Sequence, residues 1–203
     1  TAFGLVKYSQ RTDLFLRQTG FQGQPNLKDM ILHAQEQIET EHFYDASHAL
    51  AELKYLGAEA AKTHDIQLAS ELYYDSAKSA WRYFATSDSG GRHPDPDDPQ
   101  HRGTAEVYNA SSEHLLRIAR NSGKVTLGRS IWMPISKREL EFEIPFASRL
   151  LTPDQLGDFE FVSDYELKNL RSHNTTPGLG VPIIAIRKDS LNPDAAEKYY
   201  TKG

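Results

Sequence analysis

The feature that most constrains this chain is a change of hydrophobic period part-way along it. From about residue 13 to 122 apolar side chains recur every three or four positions, and from about 129 to 187 they alternate or cluster in short runs bounded by Pro and Gly. The first spacing lays an apolar stripe along one side of a helix; the second lays it on one face of a strand. Helices followed by strands, without alternation, disfavour a parallel doubly wound sheet and predict an α+β fold. The expected arrangement is a helical bundle over 1–126 followed by a small β-rich region over 127–203.

Four helices are legible. Asn26 is suited to cap one that carries Leu27, Met30, Ile31, Ala34 and Ile38 and ends near Thr40. A second is expected over about 44–63, with Ala46, Ala49, Leu50, Leu53, Leu56, Gly57 and Ala60 on one broad face. A third, over about 66–86, carries Leu68, Ala69, Leu72, Tyr73, Ser76, Ala77, Ala80, Trp81 and Phe84. The fourth, over about 104–121, stops at Ser122-Gly123, where glycine supplies the position after the helix. Of the aromatic set on the third helix, Tyr74 and Tyr83 are the two expected at the surface, with the rest in the core.

The second and third helices resemble one tetratricopeptide (TPR) unit. Leu53, Leu56, Gly57, Ala60, Ala69, Tyr73 and Ser76 fall at that repeat's large and small packing positions, and His64-Asp65 takes the turn. The proline that ends such a repeat is replaced by Trp81, and no second copy follows at the repeat's period of about 34 residues. A solenoid needs about three repeats to bury its faces, so the expectation is a bundle containing one TPR-like hairpin.

In the second half, strands are expected over about 129–135, 140–146, 159–162 and 182–187. Leu140, Phe142 and Ile144 should point inward and Glu141 and Glu143 outward, while Pro134 and Pro145 confine their strands to edges or bulges. The run Ile183-Ile184-Ala185-Ile186 is apolar without alternation, which predicts burial on both faces.

Composition removes several classes of function. A net charge of -5 and a pI near 5.9 do not suit a nucleic-acid surface, which needs clustered Lys and Arg against phosphates. No apolar stretch approaches the roughly 20 residues of a membrane helix. The absence of cysteine removes disulfides and thiolate metal sites, yet leaves the compartment open between cytoplasm and export with a trimmed leader.

Candidate chemistry is sparse. The connection over 87–101 offers His93, Asp95, Asp97, Asp98 and His101 as oxygen and imidazole ligands for a divalent ion, but at no recognised ligand spacing. Ser89 with His93 lacks a strand-to-helix elbow and an orienting carboxylate. His33, His42, His48 and His64 form no His-Glu-x-x-His pair, and most of them read as surface or cap residues. Glu141 and Glu143, two apart on a strand, read as an exposed face. No metal, cofactor or catalytic residue is therefore assigned.

One run carries a resemblance. Ser163-Asp164-Tyr165-Glu166-Leu167-Lys168-Asn169-Leu170-Arg171, followed by Thr176-Pro177-Gly178-Leu179-Gly180-Val181-Pro182 and the apolar run to Arg187, resembles the segment joining a helical N-terminal region to the catalytic domain in large bacterial α/β-hydrolase-like proteins of esterase or lipase type. The preceding helices resemble the N-terminal region of the same proteins. The resemblance implies a serine hydrolase whose triad lies outside this chain, and no Gly-x-Ser-x-Gly nucleophile elbow occurs in the 203 residues. It implies a non-catalytic accessory role, with Asp164, Tyr165, Arg171, Gly178, Gly180, Pro182 and Arg187 forming an interdomain surface toward a downstream catalytic domain. The alternative reading is an independent TPR-like module that binds a peptide or protein; a third is an enzyme using the His93 to His101 loop.

Overall fold

The computed structural model describes residues 7–22, 26–87, 90–123, 125, 130–135, 138–143, 152–165 and 178–187. In chain order the elements are α1 (Gln10–Gln18), α2 (Leu27–Glu36), α3 (Phe43–Ala61), α4 (Ile66–Ala85), α5 (Pro99–Asn121), β1 (Ser130–Ile135), β2 (Arg138–Glu143), β3 (Leu156–Phe161) and β4 (Ile183–Arg187). The architecture is α+β, a helical bundle with a small β region. Two compact units are present: Thr1–Ile118 with Pro177–Gly180, and Ala119–Thr176 with Val181–Gly203.

Helix ends follow local chemistry. Ser9, Asn26 and Asp65 each accept a backbone N–H three residues on, at Thr12, Asp29 and Leu68, and so start α1, α2 and α4. Each such cap contributes about 1 kcal/mol. Helix α5 begins five residues before the expected position. Pro99 tolerates the first helical turn because its missing N–H has no partner there, and the Asp98 carboxylate accepts the Gln100 N–H at 2.8 Å. The connection before it is correspondingly shorter than 87–101. Ser89 lies outside the described residues.

Helix α3 is the centre of the first unit. Twelve of its residues are buried, from Phe43 to Ala61, so it must be enclosed on several sides. Phe15 and Leu16 of α1, Met30 and Ala34 of α2, and Phe43, Ala46, Ala49, Leu50 and Leu53 of α3 form one apolar cluster. Against the other side of α3 lies α4, whose buried residues Ala69, Tyr73, Ser76, Ala80 and Tyr83 repeat at four- and three-residue spacing. This seam corrects two expectations. Tyr83, expected at the surface, is 2% exposed, and Trp81, expected in the core, is 52% exposed. Trp81 follows Ala80 by one residue and is therefore rotated about 100° off the buried stripe. Ala60 is likewise exposed, not packed as the repeat positions require; Gly57, Ala58 and Ala61 are the buried small residues of that stretch.

The second unit holds two antiparallel ribbons, β1 with β2 and β3 with β4. Each strand is paired on one side among the described residues, so Pro134 of β1 sits where an edge tolerates it. In β3 an irregularity between Leu156 and Asp158 lets Leu156 join Phe159 and Phe161 as buried residues although the simple alternation would exclude it. The Phe159 and Phe161 rings meet edge to face at 5.6 Å. Arg120 bonds Asp158 at 2.8 and 3.3 Å and lays its guanidinium over the Phe159 ring. Strand β4 is not buried on both faces: Ile183 and Ile184 are half-buried, Ala185 is exposed and Ile186 is 38% exposed. A continuous apolar run implies two covered faces only inside a multi-stranded sheet, and β4 has one partner strand among the described residues. Ile144, Pro145 and Phe146 lie outside the described residues.

Candidate docking surface and polar clusters

Three arrangements of polar side chains stand out in the helical unit. The first is a clasp. Asn109, on α5, donates from Nδ2 to the Gly178 carbonyl and accepts the Gly180 N–H at Oδ1, both at 2.8 Å. One side-chain amide thus satisfies an acceptor and a donor of the same short segment. Gly180 has φ +140, a conformation that L side chains rarely adopt, which explains the glycine there. Between the two glycines Leu179 projects 44% exposed. Tyr108, adjacent to Asn109, has its ring 6.1 Å from that of Trp81.

The second is a cluster where α3, α4 and α5 meet. The Glu59 carboxylate accepts from Tyr73 Oη at 2.5 Å and Lys62 Nζ at 2.6 Å, and His114 Nε2 lies 3.2 Å from it. The His114 ring stacks on Tyr73 with centroids 4.6 Å apart. Burial lowers the His114 pKa, with the Glu59 charge opposing, and burial next to Glu59 raises that of Tyr73. Burial also pushes the Glu59 carboxyl up, but hydrogen bonds from Lys62 and Tyr73 and the charge of His114 outweigh it and leave its pKa lowered.

The third ties α1 and the start of α5 to α3. Glu52 accepts from Ser9 N–H at 2.8 Å, Ser9 Oγ at 2.7 Å and Thr12 Oγ1 at 2.5 Å. His48, one turn earlier, is 5% exposed and bonds Thr104 Oγ1 through Nδ1 at 2.8 Å. Thr104 donates its hydroxyl to the Gln100 carbonyl at 2.7 Å, so the imidazole is the donor at Nδ1 and its Nε2 faces Glu52 at 4.0 Å. Burial lowers the His48 pKa. His48 is thus a core residue, an exception among four histidines of which most were expected at the surface or at caps. Arg11 closes the same end with two bonds to Asp98, at 2.9 and 3.1 Å, and one to Gln100.

The loop ligands do not converge. Asp98 is held by Arg11, and His101 lies edge-on to Phe84 at 4.9 Å. Among the described residues no group of three or more His, Cys, Asp or Glu is placed to hold a metal ion. No helix is long and apolar enough to cross a membrane among those residues. Of the expected interdomain surface, Gly178 and Gly180 are in the clasp and Pro182 is exposed just before β4. Asp164 and Tyr165 follow β3 and are half-buried, and Arg187 pairs with Leu156 at the end of β4. Arg171 lies outside the described residues.

Asn109 and the Glu59–Tyr73–His114 cluster are not legible in the sequence because their members are scattered over 59 to 180 in no motif. The His48 to Glu52 spacing of four is the one local signal, since it puts both side chains on one helix face. Comparison of the chain with family models, with curated proteins and with solved structures returns no match.

Proposed function

We propose that this chain is a non-catalytic accessory region of a larger α/β-hydrolase-like protein, packing on its catalytic domain or gating the entrance to it. The observation that supports this best is the Asn109 clasp. A passive linker needs no side chain to hold its backbone; here the Gly-Leu-Gly of the run that carries the resemblance is fixed to α5 by two hydrogen bonds. Downstream of it Pro182 and Ile186 are exposed on and before an edge strand, the kind of surface that another domain covers. The chain's own part is then to present that surface; the missing nucleophile elbow supports the reading that the chemistry belongs to another domain.

A fluorophosphonate probe of serine hydrolases tests this reading. It should label the polypeptide encoded by the complete gene and leave residues 1–203 unlabelled. Labelling of the 203-residue chain itself would overturn the proposal, as would a complete gene product without a probe-reactive serine. The second reading, a TPR-like module that binds a peptide, is favoured by one observation: Ile66, Leu68 and Trp81 of α4 are exposed. A peptide seated there would shift the fluorescence of Trp81, and Trp81→Ala would abolish both shift and binding.

A further inference from the structure

One face of the β1–β2 ribbon is open to solvent and carries an indole beside carboxylates. Antiparallel pairing sets Ser130, Trp132 and Pro134 of β1 opposite Glu143, Glu141 and Glu139 of β2. The intervening positions turn the other way, and of those Met133 and Ile135 are buried. The ribbon is therefore two-sided, with one covered face and one open face. On the open face Trp132 is 54% exposed, and Glu139 and Glu141 are exposed with it. Among the described residues no basic group pairs with either glutamate, and no ring meets the indole.

We propose that this face is a docking site for an extended, arginine-bearing segment of a partner protein, with a guanidinium lying on the Trp132 indole and bonding the carboxylates beside it. An exposed indole alone would call for no partner; its setting selects one. Side chains directly opposite across an antiparallel pair stand about 4.5–5.5 Å apart at Cβ, and diagonal neighbours about 7–8 Å, so Glu141 flanks Trp132 and Glu139 is one step away. An apolar partner covering Trp132 would strip water from these carboxylates and leave them unpaired, which is costly. A cation removes that cost. It is drawn to the face of the indole by the ring quadrupole and neutralises the carboxylates at the same contact.

Arginine suits the site better than lysine. A planar guanidinium stacks on the ring and still offers N–H edges to carboxylate oxygens, whereas an ammonium is a compact, strongly hydrated point charge. The extended form follows from spacing: glutamates stand at alternate positions along β2, about 7 Å apart, and alternate side chains of an extended partner repeat at the same interval. Charges alone would serve to blunt a ribbon against stray strand pairing, but that role gives no use to an exposed indole among them. The docking needs no hydrolase domain, so its test is independent of the accessory-region reading.

The chain has two tryptophans, so in Trp81→Phe the indole emission comes from Trp132 alone, and a peptide seated at Trp81 gives no signal. A blocked peptide alternating threonine and arginine should change that emission saturably, and raising salt from about 0.05 M to about 0.5 M should weaken binding several-fold as the charges are screened. Glu139→Gln and Glu141→Gln, which keep the size of two exposed side chains and remove their charge, should each weaken it about five- to tenfold. The same peptide with neutral citrulline for arginine should not bind. Calorimetric titration of the unsubstituted chain gives the wild-type affinity without relying on Trp81→Phe. An unchanged Trp132 emission, equal affinity in both glutamine variants, or equal binding of the citrulline peptide would overturn the proposal. A lysine peptide that binds as tightly would overturn the assignment of arginine, since a flat guanidinium would then have no part in it.

Discussion

Glu52→Ala should destabilise the helical unit by about 3 kcal/mol, because a hydrogen bond to a charged acceptor contributes roughly 1.5–3 kcal/mol and a buried donor left unpaired costs a similar amount. One carboxylate takes the Ser9 N–H, the Ser9 hydroxyl and the Thr12 hydroxyl, and Thr12 is fully buried. With the methyl of alanine in its place, Thr12 keeps no acceptor from α3, and Ser9 is left only as the cap of α1, bonded to Thr12 N–H at 3.3 Å. The same change removes the nearest counter-charge to His48. Urea titration of the wild type and the variant measures the difference. Glu52→Gln, which keeps one carbonyl acceptor, should fall between them; a loss below about 1 kcal/mol for the alanine variant would mean that α1 docks through its apolar face alone.

Gly57→Leu should be the other severe change. A Cβ at Gly57 would already stand 3.0 Å from Leu27 Cδ2 of α2 and 3.2 Å from Leu72 Cδ1 of α4, so the rest of a leucine has no room without parting one helix from α3. Overpacking of this kind costs about 1–3 kcal/mol. Gly57→Ala is the informative companion. Its methyl meets only the far ends of two leucine side chains, which can turn aside, and alanine regains about 1 kcal/mol of helix propensity over glycine. The two effects nearly cancel, so the alanine variant should melt close to the wild type while the leucine variant melts well below it. Equal melting temperatures for all three proteins would show that Gly57 does not sit in a close contact.

Much of the scaffold was legible because it depends on neighbours in sequence. The Asn26 cap and the start of α4 at Asp65 each follow from chemistry within a few residues, and the structure shows them; it also shows Pro134 on a strand paired on one side among the described residues. Helix α1 had such a signal too, in Ser9 followed by Asp13 in the first turn, and the five-residue extension of α5 was announced by Asp98-Pro99.

Sequence by itself determined the order of helices then strands, the bounds of α3 and α4 to within about two residues, and a surface chemistry unsuited to nucleic acid. It did so because periodicity, caps and net charge are properties of short windows or of the whole composition. Tertiary structure alone decided which side of α4 turns inward, burying Tyr83 and exposing Trp81, since an apolar stripe wider than the contact leaves the rotation to the neighbouring helices. It also decided that Asn109 meets Gly178 and Gly180 about seventy residues on, that His114 lands on Tyr73, and that His48 is a core residue. Those pairings join groups whose positions along the chain are unrelated, and the packing of α5 against α3 and α4 is what brings Thr104 to His48 and His114 to Tyr73.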